Sequence, residues 1–233
     1  MLVLLTVLAT PASAAPLNLW GAAAAPEEVA ITPLVVASGS DMASSVVLAT
    51  GLGEHADIAG GLGLVSGFDG VSAMSGLDVM ARAFPVGDVA IALHTTWTPG
   101  DEVVVVGPEV HASHTWDRFG DTANAGWRAN VGAAGSTLTA GLAPEVWVHP
   151  RVSAYVELDP SYAIGEGFAM VAVPGVGASS DAEGAHTLSA GVQVPVYPEV
   201  DGVSVGVWYT AILGSTPWIG RASKAEGPAL ASK

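Results

Sequence analysis

Two residues with the spacing needed for nucleophilic catalysis lie near the middle of the chain. His111 and Ser113 are separated by one residue, so an extended segment places the imidazole and the hydroxyl on the same face. A serine hydroxyl is activated by a neighbouring base, and this pair supplies both groups. No acid that would orient the histidine can be assigned, and His-x-Ser is a common tripeptide. We therefore treat the pair as a hypothesis to test and expect no enzyme.

Other catalytic and cofactor-binding motifs are missing from the sequence. There is no cysteine, which excludes disulfides and thiolate zinc sites. A glycine-rich phosphate loop, a His-Glu-x-x-His motif and a Gly-x-Ser-x-Gly elbow are also lacking. The 6 histidines are scattered along the chain. We expect no metal site and no cofactor.

A second group of polar residues occupies alternate positions in extended segments, as expected for the inner face of a closed sheet. Charges inside a narrow barrel must be paired or hydrated, and here acids outnumber the two arginines. Two interpretations remain open: a polar pore or cavity with a bias for cations, or a structural network that fills the interior. The candidate lumen residues are Asp57, Asp78, Arg82, Asp88, His94, Glu109, His111, Arg128, Asn130, Glu145, Glu157 and Asp159.

The elements that carry these residues are β-strands of about ten residues with alternating apolar positions. About twelve strands are predicted, and 10 to 14 are compatible with the pattern. Their predicted bounds are Val29–Ser38, Ser44–Gly53, Asp57–Ser66, Ser72–Phe84, Gly87–Thr98, Glu102–Trp116, Ala125–Ala133, Ser136–His149, Arg151–Asp159, Phe168–Ala178, Ala185–Tyr197 and Gly202–Ile212.

The connections between these strands are too short for a crossover helix, so neighbours must pair antiparallel. Short links favour an up-and-down order. Prolines inside the strand patterns are expected to mark strand starts, bulges or boundaries. Aromatic residues near strand ends are candidates for an interfacial girdle. They are Trp97, Trp116, Trp147, Tyr162, Phe168, Tyr197 and Tyr209.

The chain begins with a segment typical of export. Leu2 to Ala9 is an apolar run, Pro11 follows, and Ala12-Ser13-Ala14 is a small-x-small cleavage pattern. Residues 1–14 are therefore predicted to be a signal peptide, although no Lys or Arg follows Met1. A buried first strand or helix is the alternative.

Composition narrows the class of protein further. The 233 residues are 50% hydrophobic, yet the net charge is −15 and only 7 residues are Lys or Arg. This balance does not suit a nucleic-acid partner, because phosphate binding rests on Lys and Arg. No apolar run after residue 16 is long enough for a transmembrane helix. Most charges fall in turns, and the non-apolar strand faces carry mainly Gly, Ala, Ser and Thr. Such a face is a poor water-exposed surface and a plausible barrel lumen, so the apolar face is expected to contact lipid.

With these features the chain resembles the bacterial outer-membrane β-barrel proteins, in architecture rather than by a specific motif. The resemblance implies an all-β, antiparallel up-and-down transmembrane barrel with porin-like passage of small solutes, or a structural barrel with an acid-rich lumen. It also implies membrane lipid and the outer-membrane assembly machinery as partners. The predicted organisation is a signal peptide (1–14), an N-terminal segment (15–27), the barrel (28–213) and a C-terminal tail (214–233).

Two other functions remain open at this point. A secreted soluble β-barrel or sandwich that binds a small ligand would show the same alternation with the opposite face inside. The His-x-Ser pair is also similar to that of outer-membrane lipid A deacylases, which implies a lipid hydrolase that uses His111 and Ser113.

Overall fold

The computed structural model describes residues 29–39, 41–52, 55–67, 72–86, 89–97, 104–132, 135–180, 186–198 and 202–213. The predicted signal peptide (1–14), the N-terminal segment (15–27), the C-terminal tail (214–233) and the candidate lumen residue Asp88 lie outside these ranges. None of the described residues belongs to a helix that is long and apolar enough to cross a membrane.

Twelve β-strands account for almost all of the described residues. They are β1 (Val29–Ser38), β2 (Asp41–Gly51), β3 (Ala56–Gly67), β4 (Ser72–Val86), β5 (Val89–Trp97), β6 (Val104–Trp116), β7 (Phe119–Val131), β8 (Ser136–His149), β9 (Val152–Ala163), β10 (Gly167–Ser179), β11 (His186–Tyr197) and β12 (Ser204–Leu213).

The strands form one closed barrel in which each strand pairs with its sequence neighbours. Every pairing is antiparallel, and β12 closes the barrel by pairing with β1, from Val29 opposite Leu213 to Ser38 opposite Ser204. Closure satisfies the backbone groups that an open sheet would expose at its edges. The predicted all-β, up-and-down barrel of about twelve strands is confirmed.

The largest error in the predicted boundaries concerns β7, which begins at Phe119 and not at Ala125. Its first half contains Gly, Asp and Asn, which are typical of turns. Pairing with β6 on one side and β8 on the other overrides that preference, as in the pairs of Asp121 with His114 and with Pro144. Strand β9 likewise continues past Pro160 to Ala163.

Four of the prolines lie well inside strands instead of marking their ends. Pro33, Pro108, Pro144 and Pro174 all point outward from the barrel. The ladder is interrupted on one side of each of them. The gaps lie between β1 and β12 at Pro33, between β6 and β7 at Pro108, between β8 and β9 at Pro144, and between β10 and β11 at Pro174. A proline lacks the N–H that such a pair requires. Pro195 lies beside an irregularity in the pairing of β10 with β11.

The two faces of the wall differ sharply in composition. Outward positions carry large apolar side chains that are close to half exposed, such as Leu48, Leu93 and Leu188. Inward positions carry Gly, Ala, Ser and Thr together with buried charges. A protein in water buries its apolar face, so this arrangement is inverted relative to a soluble barrel.

Glycines on the inner face make room for large side chains of the neighbouring strand. A Cβ on Gly126 would lie 2.6 Å from Cγ of Glu109, and a Cβ on Gly120 would lie 2.8 Å from the Trp147 ring. A Cβ on Gly175 would lie 2.2 Å from Cζ of Tyr155. We call Gly120, Gly126 and Gly175 the glycine seats. They let bulky inward side chains lie flat against the wall.

Candidate functional site

Seven charged or titratable side chains form a continuous polar surface on the inner face of β3 to β7. We call this surface the charged wall. Alternation along each strand turns these residues inward, and the register brings residues of adjacent strands side by side. Its members are Asp57, Asp78, Arg82, His94, Glu109, His111 and Arg128.

Asp57 and Arg82 form a bidentate ion pair across β3 and β4, at directly opposed positions. Nε of Arg82 donates to Oδ1 of Asp57 at 2.9 Å, and Nη2 donates to Oδ2 at 2.7 Å. The side chains are 1% and 0% exposed. Two parallel hydrogen bonds with charge at both ends are the strong form of this interaction.

Glu109 is the centre of the charged wall because three neighbours donate to its carboxylate. Arg128 donates to Oε1 through Nε at 2.8 Å and lies 2.7 Å away through Nη2. His94 Nδ1 lies 3.3 Å from Oε1, and His111 Nε2 lies 3.0 Å from Oε2. A buried carboxylate is stable only with such compensation, so Glu109 is fixed in position by β5, β6 and β7 together.

His94 extends this network towards β4. Its Nε2 lies 3.4 Å from Oδ1 of Asp78, while its Nδ1 faces Glu109. The hydroxyl of Thr96 also donates to Asp78 Oδ1. The imidazole therefore lies between two carboxylates from different strands and joins β4 to β6.

Exposure within the charged wall is very uneven. The Arg128 side chain is 26% exposed, and the other six side chains are 7% exposed or less. Arg128 is therefore the charge on this wall that a solute in the lumen would meet first.

The opposite part of the inner face differs in character. Glu157, which is fully buried, and Asp159 turn inward from β9, and Glu145 turns inward from β8. Next to these acids, Tyr155 lies over Gly175 and packs with Trp208, with 6.4 Å between ring centroids. The buried residues Leu34, Val36 and Val173 complete an apolar cluster there. The lumen thus has one side with acids, arginines and histidines, and an opposite side with acids next to an aromatic and apolar cluster.

Ten of the candidate lumen residues face the interior of the barrel. They are the seven members of the charged wall together with Glu145, Glu157 and Asp159. Asn130 is half-buried on the inward side of β7, two residues beyond Arg128. Whether these residues line a solute path stays a prediction.

Sequence reasoning overlooked the inward aromatic cluster and misassigned one tryptophan. Trp147 turns inward against Gly120, so it does not belong to an outward girdle. Trp97, Trp116, Tyr162, Phe168 and Tyr197 are exposed near strand ends, and Phe119 joins them. Tyr209 and Trp127 are also exposed but lie inside β12 and β7. Parity along β8 would have identified the direction of Trp147, because it shares the face of Glu145. Tyr155 and Trp208 likewise have the inward parity of Glu157 and of Thr210.

The His111 and Ser113 pair is engaged in separate interactions. His111 Nε2 contacts Glu109, and Oγ of Ser113 lies 3.3 Å from Oγ1 of Thr122 on β7. Both residues turn into the barrel, and His111 is buried. Within the described ranges, no three His, Asp or Glu residues are grouped so that they could hold a metal ion.

Comparison with known proteins identifies the fold. No protein-family model matches the chain, and no curated protein matches it. Solved structures do match. An outer membrane channel from Pseudomonas putida F1 aligns with a TM-score of 0.62 at 10% identity, covering 83% of this chain and 97% of that one.

Two porin structures give the same result. The NanC porin aligns with a TM-score of 0.61 at 5% identity, covering 81% of this chain and all (100%) of that one. The KdgM porin aligns with a TM-score of 0.56 at 10% identity, covering 78% and 98%. The chain therefore has the fold of bacterial outer-membrane porins.

Proposed function

We propose that this protein is a channel of the bacterial outer membrane that passes small hydrophilic solutes and favours cations. One observation carries the proposal: a closed barrel turns its large apolar side chains outward and its charges inward. The structural likeness to outer-membrane porins and channels supports the same location.

The outer surface supports a lipid environment. Large apolar side chains are exposed on every one of the strands β1 to β12, for example Val35, Leu62, Ile91 and Leu142. Soluble monomers rarely expose continuous apolar patches above a few hundred Å². A secreted soluble barrel is therefore disfavoured, because its outer strand faces would carry polar side chains.

The charges of the lumen support a preference for cations. The described inward side chains include six acids, namely Asp57, Asp78, Glu109, Glu145, Glu157 and Asp159, but only two arginines. Rings or surfaces of carboxylates favour cations in a pore and exclude anions. The two arginines are each paired with one of these acids.

A second candidate is a structural barrel whose interior is filled by side chains. The deep burial of Met80, Glu157 and Asp57 favours it, because a wide water-filled lumen would leave such groups exposed. Twelve strands lie between the small barrels that side chains fill and the large barrels that hold a channel. Conductance separates these two functions.

Lipid hydrolysis is disfavoured by the direction of the candidate residues. Lipid acyl chains contact the outer face of a barrel, whereas His111 and Ser113 face the interior. The proposed function accordingly involves no catalysis, metal or cofactor. The outer-membrane assembly machinery is proposed as the partner that inserts the barrel.

Fractionation and conductance test the proposal. We expect the protein in the outer-membrane fraction, released by detergent and with heat-modifiable migration on a gel. Purified protein in a planar bilayer should give discrete conductance steps in KCl, with a reversal potential in a salt gradient that indicates cation preference. Solubility without detergent would overturn the membrane location. A barrel that inserts but never conducts would instead support the structural candidate.

A further inference from the structure

The Glu109–Arg128 ion pair differs from the Asp57–Arg82 ion pair in its exposure to the lumen. Both side chains of the Asp57–Arg82 pair are buried. In the Glu109–Arg128 pair, the Glu109 side chain is 3% exposed and the Arg128 side chain is 26% exposed. We propose that Glu109 holds Arg128 against the wall, and that this pair sets both the ion selectivity and the open width of the lumen.

The position of Glu109 depends on the absence of a side chain at Gly126. The carboxylate side chain lies across the neighbouring strand, so that Cγ comes within 2.6 Å of where a Cβ of Gly126 would be. From this seat Oε1 reaches both Nε and Nη2 of Arg128, two residues further along β7. The arginine is thereby held along the wall instead of projecting across the lumen.

Two further contacts keep Glu109 in place without neutralising Arg128. His94 and His111 contact the same carboxylate from β5 and β6. Because His94 and His111 hold Glu109 independently of Arg128, loss of Arg128 leaves a fixed carboxylate, whereas loss of Glu109 releases a mobile cation. The two losses should therefore change selectivity in opposite directions.

The surrounding charges make this position sensitive. Arg128 is the most exposed charge of the charged wall, whereas its carboxylates are 7% exposed or less, so a solute ion meets the guanidinium more directly than these acids. An unscreened charge within a few Å changes the local concentration of a passing monovalent ion by about fivefold even in bulk water, and by more in a narrow site. Salt at 0.1 M screens this effect over about 10 Å, so nearby charges dominate the selectivity.

The inference rests on the proposed channel function and deepens it. The test measures the cation-to-anion permeability ratio and the unit conductance in planar bilayers, from reversal potentials in a KCl gradient. The variants are Glu109→Gln, Arg128→Gln, the double variant, and Glu145→Gln as a matched charge control. Glu145 faces the lumen from β8 without a salt bridge to an arginine among the described residues.

We expect Glu109→Gln to lower the permeability ratio by about threefold or more and to reduce unit conductance. Arg128→Gln should raise the ratio. The double variant has the same net charge as the parent and should return to within about twofold of it. All variants are compared at about pH 8.5, so that the carboxylates at both positions are ionised; there Glu145→Gln removes the same charge and should lower the ratio without the loss of conductance, because it releases no arginine.

Gly126→Ala tests the seat with no change of charge. The added methyl group should displace Glu109 and lower the ratio in the same direction as Glu109→Gln. If that variant does not give a heat-modifiable band, Arg128→Lys serves instead. This variant keeps the positive charge but lacks the two-pronged guanidinium geometry. Its cation-to-anion permeability ratio should also be lower than that of the parent.

The possible failures are distinguishable. A parent protein that inserts but does not conduct overturns the channel function itself. A conducting parent whose Glu109→Gln and Arg128→Gln variants keep the parental ratio overturns only the role of the pair. Identical ratio and conductance for Glu109→Gln and Glu145→Gln would show a simple charge effect and overturn the holding role of Glu109.

Discussion

Replacing Asp57 with alanine is expected to lower the free energy of unfolding by about 3–5 kcal/mol, the usual cost of removing one partner of a buried ion pair. The structure justifies the full range. Two hydrogen bonds of 2.9 and 2.7 Å are lost at once, and the remaining guanidinium side chain is 1% exposed. The variant therefore leaves Arg82 buried without its bidentate acceptor.

The assay is urea unfolding of the protein in lipid vesicles, followed by loss of heat-modifiable migration. Replacing both partners, as Asp57→Ala with Arg82→Met, should recover much of the loss, because the buried charge is then removed together with its ion-pair partner. Glu166→Ala is the control in an exposed turn and should change stability by less than about 0.5 kcal/mol. Additive losses in the double variant, or a loss below about 1 kcal/mol for Asp57→Ala, would refute the reasoning.

Three further outcomes follow from the barrel wall. Gly107→Ala should prevent stable pairing of β6 with β7, because its Cβ would lie 1.9 Å from the carbonyl oxygen of Trp127; the yield of heat-modifiable barrel reports it. Leu62→Arg places a charge on the outward face in the middle of β3 and should destabilise the protein by about 2–4 kcal/mol in vesicles. Ser113→Ala should have the same conductance as the parent protein. It should also release no less acyl chain than the parent when both are incubated with purified outer-membrane lipid.

Each of these outcomes has a matched comparison. Gly60→Ala has 3.5 Å to its nearest neighbour and should be tolerated, so equal damage from both alanines would contradict the steric argument. Leu52→Arg, immediately after the end of β2, should cost no more than about 1 kcal/mol, and equal costs at Leu52 and Leu62 would contradict the lipid-facing assignment. Acyl release that depends on Ser113 would contradict the proposed non-catalytic function.

Much of the fold could be predicted because the strands obey a short-range rule. Alternation with period 2 depends only on neighbouring residues, and it located β1 and β8 to the residue. The rule failed at the start of β7, where Asp121 and Asn124 mimic a turn and only pairing with two neighbours makes a strand. It placed Pro108 and Pro174 inside predicted strands, where the structure has them, whereas the expectation that such prolines mark strand starts or boundaries was wrong for these two.

The inward direction of the charged residues could be predicted from the sequence, but the contacts between them could not. Parity along the strands is enough to group Glu109 with Arg128 on one face. Their contact depends on the register of β6 against β7 and on the empty space above Gly126, which are properties of the assembled sheet. The direction of Trp147 and the packing of Tyr155 over Gly175 arise in the same way. In a sequence, a glycine suggests a turn. Its role as a glycine seat depends on a large side chain of the adjacent strand and is therefore visible only in the assembled sheet.

The pairing of β1 with β12 has a kinetic consequence. This contact joins residues at the two extremes of the barrel sequence, from Val29 to Leu213, whereas every other strand pair joins sequence neighbours. Hairpins can therefore form locally and early, but the ladder cannot close before the last strand is available. Closing so long a chain segment carries a large entropic barrier. Until that step occurs, two unsatisfied edges persist, and a chain truncated within β12 would retain them permanently.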